Sequence, residues 1–162
     1  MTIRSPVKVC VCSICIFVLA LTQNGFYLDR VGRDAWAAGW GEFVFGWISL
    51  FSGTVAWLGN PLLIASWVFL FRKKTSWAAG LAFLALLFML SFLLNQRIVD
   101  SEAGTSSKIS GYGLGYWLWL SSAVVVVLGA CLALRITPKT APMPDPTPAQ
   151  GMPHTGQEPR LP

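Results

Sequence analysis

The stretch Ala56–Lys74, AWLGNPLLIASWVFLFRKK, constrains this chain more than any other. It is a run of apolar residues interrupted by one Asn60-Pro61 step, and it stops abruptly at Arg72, Lys73 and Lys74. Three consecutive cations after such a run mark a membrane exit on the cytoplasmic side, because positive charge is retained there. The composition agrees: 54% of the 162 residues are hydrophobic and 12% are charged, against roughly 25% charged in an ordinary soluble domain. A soluble domain of this length could not bury that much apolar surface, so a bilayer is expected to solvate much of it. The net charge of +5 does not point to nucleic acid. The cations gather at the ends of apolar runs instead of forming a stripe on one face.

From that anchor the chain threads back and forth. Residues 1–8, with Arg4 and Lys8, form a cytoplasmic N-terminus, and an apolar run begins at Val9. It reads either as a signal peptide or as a retained helix over 9–28. No small-x-small cleavage site is convincing, which favours the retained helix. Asp29–Asp34 is an external polar loop. Ala35–Phe71 is too long for one upright span, since as helix it would run roughly 55 Å against a hydrocarbon core of about 30 Å. The expected solution is an interfacial helix over 36–50, with Trp36, Trp40 and Trp47 on one face, followed by a span over 53–71. The rival is one long tilted helix from Phe43 to Phe71, bent at Pro61. A minimal turn at Thr75–Trp77 brings a third span, 77–95, back beside the second. Its cytoplasmic half carries Ala78, Ala79, Gly80, Ala82 and Ala85, small residues that let a neighbouring backbone approach. Gln96–Gly113 reads as a second external loop, and 114–134 as a fourth span in which Gly129 and Ala133 form a small-xxx-small pair. Residues 136–162 are rich in proline and are expected to form a disordered cytoplasmic tail.

Chemistry is sparse in this pattern. Cys10, Cys12, Cys15 and Cys131 all lie in apolar runs, and the one histidine, His154, is in the tail. Thiols in hydrocarbon with no histidine beside them read as small packing residues, so neither a metal nor another cofactor is expected. Glu42, Asp100 and Glu102 form a candidate external acidic group, and Glu42 stands out because it interrupts an apolar stretch. Paired carboxylates can do acid–base work, although headgroup-level carboxylates are the simpler reading. No Asp, Glu, Lys, Arg or His lies within Phe43–Phe71, Trp77–Leu94 or Leu114–Leu134. Ion-coupled transporters and proton relays ordinarily need such groups near the midplane. Ser91, Ser121 and Ser122 have no base beside them and are expected to bond across helices. Asn60 and Pro61 are expected to form a packing site, because a proline in an apolar span frees a backbone carbonyl that needs a partner.

AWLGNPLLIASW (Ala56–Trp67), GWGEFVFGW (Gly39–Trp47) and ISGYGLGYWLWLSS (Ile109–Ser122) together resemble a family of short, uncharacterised bacterial inner-membrane proteins. The resemblance covers about Leu19 to Leu134 and implies a four-span bacterial protein, with no catalytic residues to carry over. The expected class is therefore all-α: a multi-pass inner-membrane protein with four transmembrane helices and both termini cytoplasmic. Its expected role is non-enzymatic, through helix–helix or lipid contacts, as an accessory or protective subunit. Membrane lipids are the expected partners, with a second copy or another membrane protein beside them, and no nucleic acid. The alternative is a small-solute or lipid transporter or channel.

Overall fold

The computed structural model describes residues 6–29, 38–95, 97–99 and 106–136. These are mostly helical: α1 (Pro6–Leu21), α2 (Gly39–Phe45), α3 (Gly59–Phe71), α4 (Thr75–Ser91) and α5 (Leu114–Ile136). Short 3-10 segments cover Gly46–Ser52 and Ala56–Leu58 and extend α4 over Phe92–Leu94. The four longer helices form a ring in which α5 packs between α1 and α4, α4 between α5 and α3, and α3 closes more lightly on α1.

Small side chains set how closely these helices approach. Ala78, Ala82, Ala85 and Met89 make a fully buried stripe on α4 at helical spacing,. Gly59 at the start of α3 faces that stripe, and a Cβ there would stand 2.7 Å from Met89 Cγ. Gly129 receives Val9 of α1 in the same way, at 2.5 Å from Val9 Cγ1. Ala133, one turn further on, is half-buried. Gly80 by contrast is exposed and meets nothing within 4 Å.

Among the described residues, two helical runs are long and apolar enough to cross a membrane: Thr75–Leu94 with 20 residues and Leu114–Arg135 with 22. Pro6–Leu21 and Ala56–Phe71 are apolar but shorter. The differences from the expected bounds have local causes. The 9–28 run leaves the helix after Leu21, where the Thr22 hydroxyl donates to Leu19 O (2.8 Å) and Gln23 N to Ala20 O (3.1 Å). The chain then turns into a strand. The run expected over 53–71 starts late because Gly53 adopts φ 85, a left-handed conformation open to glycine,. No single helix joins Phe43 to Phe71; the 3-10 segment ends at that turn.

Pro61 corrects an expectation. It sits in the first turn of α3 and its side chain is exposed. A first-turn N–H has no acceptor within α3 itself, so the proline presets the backbone there,. At the other end α3 closes with a left-handed Lys73 (φ 57), Lys73 N donating to Leu70 O (3.0 Å) and Lys74 N to Phe69 O (2.9 Å). That pair of bonds is a Schellman closure, built here on lysine where glycine is usual.

The connection expected as a loop over Gln96–Gly113 contains two strands, and the end of the span expected over 9–28 is a third. β1 (Phe26–Leu28), β2 (Arg97–Val99) and β3 (Ser106–Tyr112) form an antiparallel sheet in the order β1-β3-β2. Phe26 pairs with Tyr112 and Arg97 with Lys108. The sheet is strapped to the bundle at Asn24-Gly25, whose carbonyls accept from Gly115 N (2.9 Å) and Gly113 N (2.8 Å). The backbones approach so closely that a Cβ on Gly113 would collide with Asn24 O. The basic turn Arg72–Lys74 lies at the opposite end of the bundle from the sheet, since α3 leaves the sheet end and α4 returns to it. The tail over 137–162 and residues 30–37 lie outside the described residues.

Gly59 and Gly80 give opposite expectations for one chemical change. Gly59→Ala overpacks the contact with Met89 and should cost about 1–3 kcal/mol. Gly80→Ala meets open space and should stabilise by about 0.5–1 kcal/mol through the lower conformational entropy of the unfolded chain. Thermal unfolding of the two purified variants checks both signs.

Candidate functional site

Asn60 is the residue from which the site is built. Its place on the apolar helix α3 buries it to 5% exposure, so its amide must find partners in the bundle,. It accepts from the indole of Trp119 on α5, Nε1 to Oδ1, at 2.8 Å. An indole N–H only donates, which sets the amide orientation and leaves Nδ2 as the free end. No acceptor for Nδ2 is present among the described residues.

Around Asn60 the sheet end of the bundle opens into a cavity of about 90 Å³, enough for several waters or a small molecule. Its aromatic walls are Phe26, Phe43, Trp57, Phe92, Tyr116 and Trp119. Glycines at positions 25, 39, 46 and 115 also line it. The walls are held in place. Trp57 Nε1 donates to Phe43 O at 3.0 Å, and the Tyr116 hydroxyl to Met89 O at 3.2 Å. Gly46 allows the Trp57 ring to lie against the chain, with Cδ1 at 2.6 Å from where a Cβ would be. Phe17 on α1 packs edge-on against Phe43 (5.6 Å) and Trp67 (5.4 Å), which seats α2 over the mouth of the bundle.

Glu42 on α2 lines the same cavity. Its carboxyl has no hydrogen bond or ion pair among the described residues, and no Lys, Arg or His lines the cavity. Desolvation raises its pKa from 4.5 to about 8, so it is mostly protonated at neutral pH,. Of the acidic group expected from the sequence, Glu42 alone can be placed. Asp100 and Glu102 lie outside the described residues.

A second polar tie runs deeper in the bundle. Trp67 Nε1 on α3 donates to Ser13 Oγ on α1 (2.9 Å), and Ser13 Oγ donates to Ser122 O on α5 (2.8 Å). The serine hydroxyls expected to bridge helices do otherwise. Ser91 Oγ bonds Phe88 O (2.6 Å) and Ser122 Oγ bonds Trp119 O (2.6 Å), each within its own helix. The i−3 carbonyl is always within reach of a helical serine, whereas a neighbouring helix is not. Cys10 is buried, Cys12, Cys15 and Cys131 are exposed, and all four are free thiols. No group of three or more His, Cys, Asp or Glu that could hold a metal occurs among the described residues.

Sequence reasoning missed Ser13, Trp57, Trp67, Tyr116 and Trp119. The available signal was the indole itself: a tryptophan in an apolar run carries an N–H that needs an acceptor when buried. No protein-family model matches the chain, and no curated protein or solved structure matches it. Its reading therefore rests on its own geometry.

Trp119→Phe keeps the ring but strands Asn60 Oδ1 in the core, and should cost about 1–3 kcal/mol of stability. Adding Asn60→Leu should recover part of that loss, since removing both partners leaves nothing unpaired. Thermal unfolding of the single and double variants checks this. Glu42 makes stability depend on pH with a definite sign. Its folded-state pKa is raised, so its contribution is complete below the unfolded value and is lost as pH rises toward about 8. The unfolding midpoint should fall between pH 5 and pH 8, and Glu42→Gln should flatten that slope.

Proposed function

We propose that the chain is a four-span integral membrane protein that acts without catalysis, through contacts of its helices with lipid or with a partner membrane protein. The observation that carries this reading is the outer surface of the bundle. Large apolar side chains face outward on every long helix, among them Leu19 (55% exposed), Phe71 (52%), Phe83 (52%) and Leu128 (58%). A monomeric soluble protein rarely exposes apolar surface so continuously. The two shorter helices pack alongside the two that are long enough to cross, so all four share one environment. α1 and Ala56–Phe71 have 16 residues each, about 24 Å of helix. That is slightly short of a hydrocarbon core, a mismatch that local thinning accommodates at modest cost. The cations at Lys8, Arg72–Lys74 and Arg135 support both termini facing the cytoplasm,, and the resemblance to short bacterial proteins supports the inner membrane as the site.

A transporter or channel is the second reading, favoured by the cavity at the sheet end. Leu63, Leu70, Met89 and Val126, each at most 1% exposed, fill the bundle interior and leave that reading without a continuous path. Cysteine accessibility scanning along Ala56–Phe71 would show periodic labelling if a path opened.

Reporter fusions test the topology. A fusion at residue 105 should report from outside the cytosol, and fusions after Lys74 and after Arg135 from within it. A cytosolic signal at residue 105, or purification as a soluble monomer without detergent, overturns the reading.

A further inference from the structure

Two polar side chains lining the cavity have no partner for one end among the described residues. Asn60 lines the cavity with its amide oxygen already committed to Trp119, and the Glu42 carboxyl has no cation beside it among the described residues. An unsatisfied buried donor costs free energy that a bound acceptor would recover. The walls are otherwise aromatic and apolar, and the other titratable side chain in the lining, Tyr116, already donates to Met89 O.

The chemistry of these groups selects among ligands. An anion would meet a carboxyl and aromatic faces, with no lysine, arginine or histidine among the described lining residues to neutralise it,. An ammonium ion would suit the aromatic walls, but it would confront the Asn60 N–H₂, whose hydrogens carry partial positive charge. A neutral molecule with an accepting oxygen satisfies both groups: the oxygen takes a hydrogen bond from Asn60 Nδ2, and the protonated Glu42 carboxyl supplies a second donor.

We propose that the cavity between Asn60, Glu42 and the aromatic walls is a binding site for a small, neutral, largely apolar molecule carrying a carbonyl-type oxygen. The site does not depend on how many helices cross a membrane, because every lining residue belongs to the sheet end of the bundle. The oxygen lies against Asn60 and Glu42, and the apolar body lies against Trp57, Phe92 and Trp119. Ionisation of Glu42 removes its donor and places a charge beside the ligand, so binding weakens as pH rises through about 8.

Three probes with one carbon skeleton test this: acetophenone, ethylbenzene and 1-phenylethylammonium. The full chain, labelled with 15N at tryptophan and held in lipid nanodiscs, is titrated with each while the indole N–H resonances of Trp57 and Trp119 are followed. Acetophenone is expected to shift both saturably, with affinity several-fold to about tenfold above ethylbenzene, the range that one or two net hydrogen bonds supply. Its affinity should drop several-fold between pH 6 and pH 9. Glu42→Gln, which keeps a donor and cannot ionise, should retain binding and lose the pH dependence. Equal binding of ethylbenzene would overturn the proposal by showing an apolar void only. Tighter binding of the ammonium probe would overturn it in favour of a cation site, and an absence of shifts at these two indoles would overturn it outright. None of these outcomes bears on the reporter-fusion topology, so the two readings fail separately.

Discussion

The bundle depends on a few buried indole N–H groups that have to be paired. Apolar side chains bring four helices together, but their attraction is non-directional and would tolerate several rotations of each helix. An unpaired N–H in such an interior costs roughly 2–7 kcal/mol, so the partners of Trp67 and Trp119 select one arrangement. Trp119 reaches Asn60 across the diagonal of the bundle, where α5 and α3 otherwise scarcely meet. Trp67 reaches Ser13, and through it the carbonyl of Ser122, tying α3 to both α1 and α5. These ties cross the two places where helix packing is thinnest.

Glycine does the complementary work at the sheet end. Gly113 and Gly115 let the start of α5 touch the Asn24-Gly25 turn, so β1 and β3 pair directly over the bundle. Gly39 and Gly46 let α2 and the following 3-10 segment lie flat against the mouth, with Trp57 tucked beneath. Glu42 lines the cavity, and its helix α2 is seated there by the contact of Phe43 with Phe17. Desolvation of that carboxyl follows from the seating, which couples a titrating group to the position of a short helix.

Much of the helical layout was legible in the chain. The apolar runs expected over 77–95 and 114–134 match helical segments to within a few residues, while the run over 9–28 ends its helix seven residues early and the run over 53–71 begins α3 six residues late,. The small residues Ala78, Ala82 and Ala85 and the glycine at 129 also announced close helix contacts. The strands did not announce themselves. Phe26–Leu28 is short, and its pairing with Tyr112 depends on a partner more than eighty residues away. The effect of Pro61 was misread because a proline in an apolar run looks alike at the first turn and in the middle of a helix. Its consequence differs entirely, since only an interior position loses a backbone bond.

The sequence by itself determined that this chain is built from apolar helices with cationic flanks, and that Asn60 had to find a partner within the bundle. It could do so because burying a polar group in an apolar run has a cost whatever the fold. Only the tertiary structure decided which partner: the order α1, α5, α4, α3 around the ring brings Trp119 to Asn60, beside a cavity that Asn60 and Glu42 both line. Helix order and rotation arise from packing between distant segments, and no local pattern of residues encodes them.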